Sequence, residues 1–169
     1  MTEPVYLADC FALRQMGQCV RPEARPTLWS SLTDAVEDSR LGFPREVATE
    51  LGVLARDEQV TSWASGLGAN LRKFSADIKF NRPLMKIVET MGYQEGFDSL
   101  DGKEPAIAHL ARLAISYSKT GTPFILATED FGEGPLSPTM EQICEYQNWA
   151  YVDAMACLKG LGLGDLIAH

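Results

Sequence analysis

Cysteine and histidine are scarce in this chain of 169 residues. Four cysteines (Cys10, Cys19, Cys144, Cys157) form no Cys-x-x-Cys pair, and His109 and His169 are the only histidines. That set completes no plausible zinc site and gives no disulfide framework, so reduced, mostly buried thiols are expected. No apolar run reaches the roughly eighteen uncharged residues of a membrane helix, and Met1-Thr2-Glu3-Pro4 does not open a leader with a basic start. The expectation is a cytoplasmic protein without a membrane partner. Gly66-Leu67-Gly68 and Gly132-Glu133-Gly134 match neither glycine-rich nucleotide fingerprint. A serine or cysteine triad lacks its base, because His109 follows the apolar helical face of Ile107. Basic residues are outnumbered 15 to 23, giving a net charge of −8, which ordinarily weighs against nucleic acid as a partner.

What is present is an ordered composition. Hydrophobic residues make up 46% of the chain, enough for one core, and neither a linker nor a repeat divides it, so residues 1–169 read as a single domain. Val5-Tyr6-Leu7-Ala8 predicts a short buried strand that ends at Asp9. After a Pro- and Arg-rich loop (Arg21 to Pro26), Leu28, Trp29, Leu32 and Val36 predict an amphipathic helix with Thr27 as its cap. Leu41-Gly42-Phe43-Pro44 reads as a second strand. Arg45 to about Arg56 follows as a helix with Val47, Leu51 and Leu54 facing inward and Glu50 beside that stripe.

Two more helices are expected, over Asp57 to Leu71 and over Pro83 to Met91. Pro105 is tolerated only in a first turn, which places Glu104 at the start of the next helix. The strongest strand, Pro123 to Thr128, is continuous and apolar as a covered parallel strand should be, and it runs into Glu129 and Asp130. A helix over Thr139 to Tyr146, an edge strand near Trp149 to Val152 and a helical turn around Met155 to Leu161 complete the chain. This alternation predicts an α/β fold: a three-layer α/β/α sandwich with a mostly parallel central sheet of four to five strands.

Open α/β sheets bind ligands beyond the carboxyl ends of their strands. Asp9 and Asp130 meet there in such a fold, and Glu104 and Glu50 can join them. Clustered carboxylates raise one another's pKa unless a cation intervenes, so the set points to Mg²⁺ or Mn²⁺ on oxygen ligands and to phosphodiester hydrolysis. Arg72, Lys73, Lys79, Arg82 and Lys86 form a basic strip that can handle a phosphate backbone, or be simply a solvated surface.

Four segments carry a resemblance to a known family. They are Tyr6-Leu7-Ala8-Asp9-Cys10-Phe11-Ala12-Leu13, Phe43 to Leu51, Glu104 to Ala111, and Phe124 to Phe131. In order, they resemble the acidic motifs of the PIN-domain superfamily, and the match covers most of the chain. The resemblance implies a metal-dependent ribonuclease, often the toxin of a toxin-antitoxin pair, with RNA as substrate, an antitoxin protein as partner and frequent homodimers. It assigns Asp9, Glu50, Glu104 and Asp130 to one or two Mg²⁺ or Mn²⁺ ions. Thr128 then orients the last acid or the attacking water, and Asp98 and Asp101, close in sequence to Glu104, serve as its substitutes or as outer ligands. Phe11 stands where the family has a small polar residue, and Glu104 where it has aspartate. The alternative is a catalytically degenerate form that binds nucleic acid or protein. Asp101 and Glu104 also fit a helix-capping box, a structural reading of the same residues.

Overall fold

The computed structural model describes residues 3–97 and 104–169. Its strands are β1 (Val5–Ala8), β2 (Leu41–Gly42), β3 (Phe124–Ala127) and β4 (Tyr151–Val152). They form one sheet in the order β2-β1-β3-β4, and every pairing is parallel. Tyr6 aligns with Leu41 on one side and with Ile125 on the other. Consecutive residues of a strand face opposite sides of the sheet. Leu7 and Ala8, like Leu126 and Ala127, are all buried, so helices cover both faces. The expected three-layer α/β architecture is therefore present, with four strands.

The helices are α1 (Cys10–Cys19), α2 (Arg25–Glu37), α3 (Arg45–Leu54), α4 (Gln59–Gly66), α5 (Asn81–Thr90), α6 (Ala106–Thr120), α7 (Met140–Gln147) and α8 (Ala154–Gly160). α1 packs against α3, α4 and α8, while α6 packs against α3, α5, α7 and β1. One continuous apolar core runs from Leu7 to Ile167.

Several boundaries differ from the sequence reading. α1 was not anticipated: the chain turns into a helix directly after Asp9, with Cys10, Ala12, Leu13, Met16 and Gly17 buried. Thr27 does not cap α2; it lies inside a helix that opens at Arg25 with Pro26 in its first turn, where a missing N–H costs nothing. β2 stops at Gly42. The helix expected over Asp57 to Leu71 is shorter, because Gly68 takes a positive φ of 52° and the chain continues as 3-10 turns to Phe74. Pro105 is the N-cap of α6, so Glu104 lies one residue outside the helix.

Candidate functional site

In a β2-β1-β3-β4 order the chain leaves β1 and β3 in opposite directions across the sheet, so their carboxyl ends form the switch point at which open α/β sheets bind ligands. Asp9 and Thr128 are the first residues past those two strands. Asp9 is completely buried. Its backbone N–H donates to Ala127 O at 3.0 Å, extending the ladder by one bond. Its side chain caps α1, Oδ1 accepting from Ala12 N at 2.7 Å. The Thr128 hydroxyl, also completely buried, donates to Asp9 Oδ2. That same hydroxyl accepts the backbone N–H of Asp130 at 2.9 Å. Thr128 thus ties together two acids 121 positions apart in the chain, Asp9 and Asp130.

The electrostatics follow from burial. Removal from water pushes the Asp9 carboxyl up to about 7, with the nearby Asp130 charge adding to it and the Thr128 and Ala12 hydrogen bonds opposing it. Asp130 is also held above the ordinary carboxylate range, chiefly by burial. One of its oxygens, Oδ2, accepts from Met140 N at 2.9 Å at the start of α7. The other, Oδ1, has no hydrogen-bond partner among the described residues. Burial, together with the charges of Glu50, Asp9 and Asp130, raises the Cys10 thiol, so at neutral pH it is a protonated, inert neighbour.

Glu50 is half-buried, and its Oε2 accepts from Ala106 N at 2.6 Å, the first N–H of α6. Proline at the N-cap supplies no side-chain acceptor, and Glu50 takes over that role from α3. Glu104 turns elsewhere. Both of its oxygens accept from the buried Arg112 guanidinium, at 2.9 and 3.1 Å, and this lowers its carboxyl pKa. A hydrogen bond from Arg112 Nη1 to Asn81 Oδ1 at 3.0 Å fixes the fork from α5.

Arg112 also reaches His109 Nδ1 at 3.2 Å, and Glu46 Oε1 lies 3.5 Å from that same nitrogen. Burial pushes the His109 pKa down, so its neutral ring accepts the guanidinium proton on Nδ1. The other Glu46 oxygen, Oε2, is buried without a partner among the described residues. Sequence reasoning missed this Glu46–His109–Arg112–Glu104 group, because Arg112 lies eight residues from Glu104 and no local motif links them.

The fold therefore brings Asp9, Thr128 and Asp130 together and places Glu50 against Cys10 at the start of α6. Glu104 faces Arg112 instead. Asp98 and Asp101 lie outside the described residues. Among the described residues, no group of three or more His, Cys, Asp or Glu side chains is arranged to hold an ion. The donor set of the Asp9–Asp130 pair nevertheless suits a hard cation: all its atoms are oxygens, and both acids sit where burial penalises bare negative charge. Each engaged Asp9 oxygen keeps a second lone pair.

The five basic residues are exposed but do not share one helix. Arg72 and Lys73 belong to the 3-10 segment that ends at Phe74, Lys79 to a turn at Ile78–Phe80, and Arg82 and Lys86 to one face of α5. Lys73 donates to Glu37 O at 3.0 Å. No helix is long and apolar enough to cross a membrane among the described residues. The chain matches no family model, no curated protein and no solved structure.

Proposed function

We propose that the chain is a metal-dependent endoribonuclease whose reaction centre is the Asp9–Thr128–Asp130 cluster. The observation that carries this reading is the complete burial of Asp9 at the switch point between β1 and β3, with Thr128 bridging it to Asp130. A buried carboxyl raised to about 7 beside a second raised carboxyl is costly to keep charged, and a divalent cation offsets that cost. The chemistry that bound Mg²⁺ or Mn²⁺ supplies is neutralisation of phosphate charge and acidification of a water.

This chain's own residues do the rest. Asp9 and Asp130 would hold the cation, and Glu50, which caps α6, would add a further acidic group to the site. Thr128 fixes the orientation of Asp9 and delivers Asp130 to the same end of the sheet. Arg72, Lys73, Lys79, Arg82 and Lys86 draw the RNA backbone toward an otherwise acidic protein. An antitoxin-like protein that covers the strip would silence the enzyme.

A second reading, a catalytically degenerate module that binds nucleic acid or protein, is favoured by one observation: the bidentate grip of Arg112 on Glu104. One experiment separates the two. Cleavage of labelled RNA is measured with Mn²⁺, with EDTA and with Asp9→Asn, alongside calorimetric titration of Mn²⁺. The ribonuclease reading expects cleavage that EDTA abolishes and that Asp9→Asn lowers by about 10²-fold or more. Equal cleavage by Asp9→Asn removes the assigned site. A folded protein that neither cuts RNA nor takes up Mn²⁺ is the binding module.

A further inference from the structure

At the opposite end of the sheet from Asp9 lies an open groove of about 370 Å³, within the range of small-ligand sites. α5 contributes Lys86 and Ile87, α6 contributes Ile115 and Lys119, and the end of α7 with the segment entering β4 contributes Tyr146 and Trp149. The groove's position is fixed by Trp149. Its ring packs edge-on against Phe124, the first residue of β3, with centroids 5.7 Å apart, so the groove sits at the amino ends of the strands. Asp9 and Thr128 follow the carboxyl ends.

Three features of this groove occur together. Ile115 is buried and Ile87 half-buried, so the floor is apolar. Tyr146 is 48% exposed, a large aromatic surface left to solvent, and Trp149 is only partly covered. Lys86 and Lys119 are both exposed, and among the described residues neither joins an ion pair, although acidic residues outnumber basic ones by 23 to 15. A purely apolar ligand leaves the two ammonium groups without partners. A bare inorganic anion leaves the aromatic faces unused. A flat ring joined to a phosphate uses both, through base–aromatic stacking and charge-assisted hydrogen bonds.

We propose that this groove is a nucleotide-binding site, with the base against Tyr146 and Trp149 and the phosphate between Lys86 and Lys119. The groove shares no residue with the acidic cluster and only Lys86 with the basic strip, and a nucleoside monophosphate contains no phosphodiester to cut, so binding of 5′-AMP succeeds or fails apart from RNA cleavage.

The test is titration of 5′-AMP in EDTA, followed by calorimetry and by tryptophan fluorescence. Trp29 and Trp63 stack on each other between α2 and α4, away from the groove, so the quenching belongs to Trp149 and disappears in Trp149→Phe. The expected result is saturable binding at submillimolar concentration that Asp9→Asn leaves unchanged. The Lys86→Ala/Lys119→Ala variant, which alters only exposed side chains, should bind about tenfold or more weakly. Adenosine and inorganic phosphate, each carrying half the recognised chemistry, should bind at least about tenfold more weakly than 5′-AMP. The proposal is overturned if the folded protein takes up no 5′-AMP at millimolar concentration. Phosphate binding as tightly as 5′-AMP, or a double lysine variant of unchanged affinity, overturns it equally.

Discussion

At the scale of single residues, Asp9 dominates because one residue meets three demands. Its backbone N–H ends the ladder of β1, and its carboxyl caps α1 and accepts from the Thr128 hydroxyl that in turn holds the Asp130 backbone N–H. Burial makes its charge expensive, and the sign of the consequence is fixed. An unfolded Asp9 releases its proton near 3.8, whereas the folded one holds it to about 7. Between those values the native chain binds the extra proton. Asp9's contribution to stability is therefore complete below the lower value and is lost as pH rises through the upper one, by at most about 1.4 kcal/mol per pH unit. Asn at this position keeps the oxygen that accepts from Ala12 and turns its amide toward the Thr128 oxygen, without a charge to bury. In EDTA, Asp9→Asn should melt above wild type at about pH 8, with the gap shrinking steadily toward about pH 5. Glu104 and His109 titrate in both proteins, so the difference reports Asp9 together with its coupling to Asp130. A gap that does not change with pH would show that Asp9 ionises freely in the folded chain. Added Mn²⁺ should narrow the gap at about pH 8 by stabilising the wild type alone.

At the scale of elements, α6 shows how a side chain from one helix completes another. Its N-cap is Pro105, which offers no side-chain acceptor, and Glu50 reaches across from α3 to the Ala106 N–H. Glu50→Ala should lower stability by about 1 kcal/mol, the usual cost of a lost cap, whereas Glu50→Gln keeps the acceptor and should cost about half as much. Chemical denaturation measures both, and equal losses would mean that the carboxylate's charge, not its hydrogen bond, holds the helix. The sequence placed Glu50 beside the inward stripe of α3 but could not reveal this partner, because the bond joins residues 56 positions apart. The same limit hid Arg112. An expected capping box drew attention to Asp101 and Glu104, while the guanidinium that claims Glu104 lies on the buried face two turns into the helix. α1 is hidden for a different reason: Asp9 is at once the end of a strand and the cap of a helix, its carboxylate accepting from Ala12 N, and the strand pattern before it is the stronger signal.

At the scale of the whole molecule, the continuous apolar strands were the legible part. Phe124–Ala127 and Val5–Ala8 are too apolar to leave a face in water, so a parallel sheet with two helical layers followed from them. Sheet order was not legible, since strands of two and four residues carry no register information beyond their apolar character. That order decides the site: only with β1 and β3 adjacent does Thr128 reach Asp9. The same packing predicts how the molecule comes apart. A single buried cluster joins residues of β1, of all eight helices and of the segment at Ile167, so the described elements share one core. Unfolding in urea should then be a single transition. In Trp149→Phe, fluorescence of Trp29 and Trp63, which stack between α2 and α4, should report the same midpoint as far-ultraviolet circular dichroism. Separate midpoints would mean that the α2–α4 layer unfolds independently of the sheet. Asp9 and Thr128 would then depend on β1 and β3 alone for their alignment. Coincident midpoints tie the alignment of these two residues to the stability of the entire chain, so that core substitutions remote from the site weaken it in step with global stability.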